Sequence, residues 1–117
     1  MRKLYYLKTC DTCSRILKDI PTDKFEMIEI KTQPIQVNQL EELYALSGSY
    51  EALFSRRAKK YHQMDLKNQE LTEKDYRRLL LDEYTFLKRP VVIVDKQIFI
   101  GSSKKNVLEL IEACKKL

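Results

Sequence analysis

Apolar positions along the chain switch between a strand-like and a helix-like period, and the switches mark out the elements. Lys3 to Leu7 is apolar and aromatic-rich; a Cys10-Asp11-Thr12-Cys13 turn follows, and then Ile16, Leu17 and Ile20 at helical spacing before Pro21. That pattern predicts a short strand, a turn and a short helix. Phe25-Glu26-Met27-Ile28-Glu29-Ile30 is mainly apolar but broken by two glutamates, as expected of a second strand with one face partly open. A helical crossover makes these two strands parallel and right-handed. From about Val37 to Leu46, Val37, Leu40, Leu43 and Tyr44 recur every three or four positions, and Gly48 follows as a C-terminal stop. A further short helix is predicted over Tyr50 to Lys60. Thr72-Glu73-Lys74-Asp75 then resembles a capping box that opens another, with Tyr76, Leu79 and Leu80 facing inward.

After Arg89-Pro90 the β-branched run Val91-Val92-Ile93-Val94, then Asp95-Lys96, then Gln97-Ile98-Phe99-Ile100 reads as two strands with a tight connection. Ser102 or Ser103 is positioned to cap a last helix in which Val107, Leu108, Ile111 and Cys114 share a face. A parallel βαβ half joined to an antiparallel ββα half is the connectivity of a thioredoxin-like α/β fold. The expected architecture is therefore a four-stranded mixed sheet with a helical insertion between the halves. At 117 residues the chain has the size of a single domain, spanning 1–117.

Composition adds constraints without changing that outline. With 44% apolar residues, two glycines and three prolines, the chain resembles an ordinary folded protein. Met1-Arg2-Lys3-Leu4-Tyr5-Tyr6-Leu7-Lys8 is interrupted by charge before an h-region can form. No apolar run approaches the roughly 20 residues of a membrane span, so a soluble, cytoplasmic protein with no membrane partner is expected. Three cysteines, an odd number, argue against a structural disulfide framework and for reactive or buried thiols in a reducing compartment. The net charge of +5 arises from 22 basic residues interleaved with 17 acidic ones. This favours a solvated mixed surface over nucleic-acid binding, while still steering anionic substrates or partners.

The chemistry concentrates at the first turn. A Cys-x-x-Cys between a strand and a helix sets the first sulfur at the helix N-terminus, where unpaired N–H groups and the macrodipole favour thiolate. Cys10 is thereby the expected nucleophile; Lys8 and Arg15 add positive potential, Thr12 can donate a hydrogen bond, and Asp11 partly opposes anion binding. Cys13, one turn before Ile16 and Leu17, points towards the semi-buried side, from which it can resolve a mixed disulfide at Cys10. A closed zinc site needs four ligands and only Cys114 and His62 remain to supply them, so no metal is expected. Cys114 is read as a packed thiol and His62 as a solvent-facing helix residue. A proline opening the third strand of a thioredoxin-like sheet is commonly cis, which would bring Pro90 beside the cysteine turn. Arg89 would then present its guanidinium near Cys10 to hold an oxyanion or stabilise thiolate.

Cys10-Asp11-Thr12-Cys13-Ser14-Arg15, Ala52-Leu53-Phe54-Ser55-Arg56-Arg57 through Tyr61, Leu87-Lys88-Arg89-Pro90-Val91-Val92 and Gly101-Ser102 together resemble the arsenate-reductase-like family that includes ArsC, YffB and Spx. The resemblance covers essentially the whole chain. It implies a thiol oxidoreductase that binds no resident cofactor, with glutathione as co-substrate and glutaredoxin or thioredoxin as partner. In members that reduce arsenate, a cysteine matching Cys10 attacks the oxyanion and the thiol-arsenate adduct is released with glutathione. The arginine before the proline matches Arg89. A second family arginine falls near Ser55, where Arg56 or Arg57 stands as the neighbouring substitute, and a third falls near Ser102 and is missing. Tyr6-Leu7-Lys8 also replaces the His-Asn-Pro that precedes the cysteine in the reductases. A second cysteine at position 13 is similar to the Spx branch, in which the pair is a redox switch on a regulator that binds RNA polymerase.

Overall fold

The computed structural model describes all of residues 1–117. The chain divides into two compact units, one formed by Met1–Gln33 with Arg89–Leu117 and the other by Pro34–Lys88.

The first unit carries the sheet. Strand β1 (Arg2–Tyr6), helix α1 (Asp11–Leu17) and strand β2 (Glu26–Glu29) form its first half, with a 3-10 turn at Thr22–Lys24. Its second half begins at Val91. β1 pairs in parallel with β2, Leu4 opposite Met27 and Tyr6 opposite Glu29. Strand β3 (Val91–Val94) lies antiparallel against the other side of β1 and pairs antiparallel with strand β4 (Gln97–Ile100). The sheet order is β2-β1-β3-β4, the mixed four-stranded arrangement expected from the connectivity. The β3–β4 register closes on Val94 opposite Gln97, leaving Asp95-Lys96 as a two-residue connection in which Asp95 takes a φ of 57°. Aspartate is among the few residues that tolerate this conformation.

Alternation along the strands decides what each face buries. Leu4, Val92, Val94 and Phe99 share one face and are buried with Ile16 and Ile20, Phe25, and Leu110 and Cys114 of the last helix. Tyr5, Ile28, Val91 and Ile93 alternate onto the opposite face and are also buried, so that all four residues of β3 are inaccessible. The last helix of the chain, Lys104–Cys114, is capped by Ser103, whose hydroxyl accepts the Asn106 amide at 3.2 Å. Its inward face differs from the expected one. Leu110 is fully buried, Val107 and Ile111 are half-buried, and Leu108 is 55% exposed. Positions 107, 110, 111 and 114 make a narrow stripe, and Leu108 falls one residue step off it.

The second unit is helical: α2 (Val37–Ser47), α3 (Tyr50–Leu53), α4 (Lys59–Gln63) and α5 (Glu73–Asp82), with 3-10 turns at Leu66–Asn68 and Tyr84–Phe86; the helix after β4 is then α6. α2 ends as predicted on Gly48, whose φ of 73° is left-handed and whose amide donates to the Tyr44 carbonyl. Its buried residues are Leu40 and Leu43, whereas Val37 and Tyr44 are exposed. The Thr72–Asp75 capping box forms, with the Thr72 amide donating to Asp75 Oδ2 at 2.8 Å and the Asp75 amide to Thr72 Oγ1 at 3.3 Å. Tyr76, Leu79 and Leu80 are buried, as their spacing predicts.

The helix predicted over Tyr50 to Lys60 is instead two helices. At Phe54 the backbone becomes extended, with φ −90° and ψ 130°, and forms an isolated antiparallel bridge with Leu87. The Ser55 amide donates to the Phe86 carbonyl and the Lys88 amide to the Leu53 carbonyl. The Phe54 ring is fully buried, stacked on Phe86 with centroids 4.9 Å apart and edge-on to Tyr76 at 5.0 Å. This ring packing and the bridge outweigh continuation of the helix.

Candidate functional site

Cys10 is the N-cap residue of α1, with extended backbone at φ −91° and ψ 109°. Its carbonyl accepts the Ser14 amide at 2.9 Å and starts the helix, while its own amide donates to the Leu7 carbonyl at 3.1 Å. The side chain takes no part in capping and is partly exposed, whereas Cys13 is completely buried. One turn of helix therefore separates an accessible sulfur from an enclosed one.

Burial pushes the Cys13 thiol up from its ordinary range; the Leu7 amide opposes the rise, negative charge on Cys10 adds to it, and the Arg89 guanidinium opposes it. The balance keeps Cys13 protonated at neutral pH, and more firmly so when its neighbour is charged. The peptide bond between Arg89 and Pro90 is cis, Pro90 is buried, and its carbonyl accepts the Gly101 amide at 2.8 Å. Thr12 lies in the first turn of α1, where its hydroxyl accepts from Arg15 Nη2 at 3.5 Å.

Arg56 and Arg57 belong to the helical unit and differ sharply there. The Arg56 guanidinium donates to Glu51 at 2.6 Å and to the Tyr76 hydroxyl at 3.0 Å, with its carbon 5.8 Å from the Tyr76 ring centroid. Arg57 is exposed and only its main-chain amide is engaged, with Ser55 Oγ. Arg57 is thus the guanidinium of the pair whose donors are uncommitted. His62 is exposed, its ring edge-on to Tyr61. Cys114 packs in the core of the sheet unit, where burial pushes its thiol up. No three His, Cys, Asp or Glu side chains gather in a way that would hold a metal ion.

One polar residue at this site has no signature in the sequence. The Glu29 carboxylate, at the end of β2, accepts the main-chain amide of Lys8 at 2.9 Å from a position 21 residues away. Only the parallel pairing of β1 with β2 brings the two together, so a glutamate in a strand pattern reads as surface polarity until that pairing is known.

The ArsC family model matches residues 5–110, which include the cysteine turn, the helical unit, the Arg89–Pro90 bond and most of α6. The chain belongs to the ArsC family. It is similar to the global transcriptional regulator Spx of Lactiplantibacillus plantarum, at 20% identity over 107 residues, covering 89% of this chain and 81% of that protein. Among solved structures, SACOL0876 from Staphylococcus aureus COL is 28% identical with a TM-score of 0.72, covering 93% of this chain and 97% of that one. An arsenate reductase from Vibrio cholerae superposes with a TM-score of 0.76 at 19% identity, covering 92% and 95% of the two chains. At that identity the likeness establishes the shared thioredoxin-like fold. No helix of this ArsC-family chain is long and apolar enough to cross a membrane.

Proposed function

We propose that this chain is a thiol-dependent oxidoreductase in which Cys10 is the nucleophile and Cys13 or glutathione resolves the adduct. The observation that carries the reading is the division of the two sulfurs, Cys10 partly exposed at the start of α1 and Cys13 enclosed one turn behind it. The Cys10 thiolate attacks one sulfur of a substrate disulfide; an S–S bond forms to Cys10 and the other substrate sulfur leaves as thiolate. Cys13 then gives up its proton and attacks the Cys10 sulfur, expelling the second substrate thiolate and leaving a Cys10–Cys13 disulfide. Two electrons have passed from the cysteine pair to the substrate, and a dithiol reductant of the glutaredoxin or thioredoxin type returns them. Where glutathione reaches the mixed disulfide first, it performs the same displacement from outside. Arg89 and the Thr12 hydroxyl stabilise negative charge during these exchanges, and within the helical unit Arg57, whose guanidinium is uncommitted, is better suited than Arg56 to meet an anion. With serine where one reductase arginine belongs and Tyr6-Leu7-Lys8 in place of His-Asn-Pro, disulfides are favoured over arsenate as substrate.

Turnover with a glutathione mixed disulfide tests this directly. Cys10→Ser is expected to abolish it, and Cys13→Ser to make it strictly dependent on added glutathione. Full turnover by Cys10→Ser, with disulfide or arsenate substrates, would end the enzymatic reading.

A second reading is favoured by the Cys-x-x-Cys and by similarity to a protein named as the regulator Spx. In it, formation of the Cys10–Cys13 disulfide alters a surface that meets RNA polymerase. A pull-down with purified polymerase, comparing reduced and oxidised protein, should then show redox-dependent retention; none in either state would count against it.

A further inference from the structure

The Glu29 carboxylate gathers four donors from two separate stretches of chain. Oε1 accepts the Lys31 amide at 3.0 Å, the Thr32 amide at 2.9 Å and the Thr32 hydroxyl at 3.1 Å, which is the work of a local turn. Oε2 accepts the Lys8 amide at 2.9 Å, and nothing local accounts for that bond. The donor belongs to the Leu7–Lys8 peptide, and the carbonyl of that same peptide accepts the Cys10 amide at 3.1 Å. A single peptide plane therefore links the carboxylate to the backbone of Cys10. An ionised acceptor at the N–H end of a peptide polarises it and strengthens the bond accepted at its C=O end. The amide of Leu7, on the preceding peptide, acts on the Cys13 sulfur, so the stretch that Glu29 anchors touches both cysteines.

We infer that Glu29 is a positioning residue for the cysteine turn, its carboxylate setting the Cys10 backbone through the Leu7–Lys8 peptide. The inference deepens the proposed function and rests on Cys10 being the reactive thiol. A carboxylate is required because both oxygens must accept. A glutamine whose oxygen kept the Lys31 and Thr32 bonds would turn its NH2 group against the Lys8 N–H, donor facing donor. The Lys8 amide above all, and then the Thr32 and Lys31 donors, hold the Glu29 carboxyl below its usual range despite some burial, so the carboxylate is ionised at neutral pH. Other charged groups on the tied segments are the Lys8 and Lys31 side chains, Asp11 and Arg15 on α1, and Arg89.

The test uses the full chain, with Glu29→Gln and, as control, Thr32→Val, which removes the Thr32 hydroxyl bonds to Glu29 and leaves the Lys8 link. Amide hydrogen exchange by NMR and the iodoacetamide rate at Cys10 across pH are measured together. Glu29→Gln is expected to speed exchange at Lys8 and Cys10 about tenfold relative to other α1 amides, the scale of a lost charge-assisted bond. It should also shift the Cys10 rate–pH profile, while Thr32→Val changes either rate less than about twofold on the same scale. Should Glu29→Gln not fold, an acid titration in the Asp11→Asn background serves instead. There the Lys8 and Cys10 amide resonances should move together with the Glu29 carboxyl. A Cys10 amide that ignores that titration, or unchanged exchange and reactivity in a folded Glu29→Gln, would overturn the inference. A wild-type Cys10 no more reactive than Cys114 would instead overturn the proposed function, leaving the Lys8–Cys10 coupling measurable by NMR.

Discussion

At Cys13 enclosure and reactivity pull in opposite directions. Burial pushes the thiol up, while the Leu7 amide and Arg89 offset only part of that rise. Resolution by Cys13 should therefore be limited by its thiolate fraction. With a mixed disulfide preformed on Cys10, the first-order rate of Cys13 attack is expected to climb with pH past about 8.5, the ordinary cysteine value, without a plateau there. Stopped-flow release of a chromogenic thiol follows it, and a rate already flat at pH 7 would mean that Cys13 is ionised. Residue spacing alone supplied the pair and the enclosure of its second sulfur, because a Cys-x-x-Cys between a strand and a helix constrains where both side chains lie. It could not supply Glu29, whose partner at Lys8 becomes adjacent only through the β1–β2 pairing. Nor could it separate Arg56 from Arg57, since the Glu51 and Tyr76 contacts that occupy Arg56 depend on tertiary packing.

Elements with strong local signals were legible, and those decided by distant packing were not. The β3–β4 hairpin, the Gly48 stop and the Thr72–Asp75 box each depend on residues a few positions apart. The break at Phe54 depends on Phe86 and Leu87, more than thirty residues on, and the first amides of α3 are satisfied by Glu73, which accepts from Tyr50 and Glu51. Thr72→Ala should cost about 0.5–2 kcal/mol of stability by removing the cap, as read by urea denaturation. The Thr72 amide, above the other contacts, holds the Asp75 carboxyl below its usual range. A depressed folded-state carboxyl contributes stability that is full above the unfolded value, near pH 3.9, and lost as pH falls through the folded one. Asp75→Asn should accordingly flatten the acid limb of the stability profile. On α6 the stripe is read correctly only when the sheet is present: Leu110→Ala should cost about 2–5 kcal/mol, and Leu108→Ala, at an exposed position, within about 0.5 kcal/mol. Equal costs would show that the helix is rotated from the orientation described.

At the scale of the whole molecule, the charge is unevenly shared. The sheet unit holds thirteen basic residues against eight acidic ones, whereas the helical unit holds nine of each. The entire +5 thus resides in the unit that carries Cys10. Composition showed the excess without its location, because the division follows the fold and not the order of the chain. Long-range steering of this kind is screened by salt. Reaction with glutathione disulfide, an anion, should slow as ionic strength rises, and reaction with cystamine, a cation, should quicken; identical salt dependence for both would remove any role for this charge. Limited iodoacetamide labelling of the native protein, followed by intact-mass and peptide mass spectrometry, tests the proposed division of labour between the two sulfurs. Cys10 should be modified first, with Cys13 and Cys114 protected until unfolding, and mild oxidation should remove two hydrogens and join Cys10 to Cys13 or place glutathione on Cys10. A Cys10 that labels no faster than Cys114, and is left unchanged by oxidant, would contradict it.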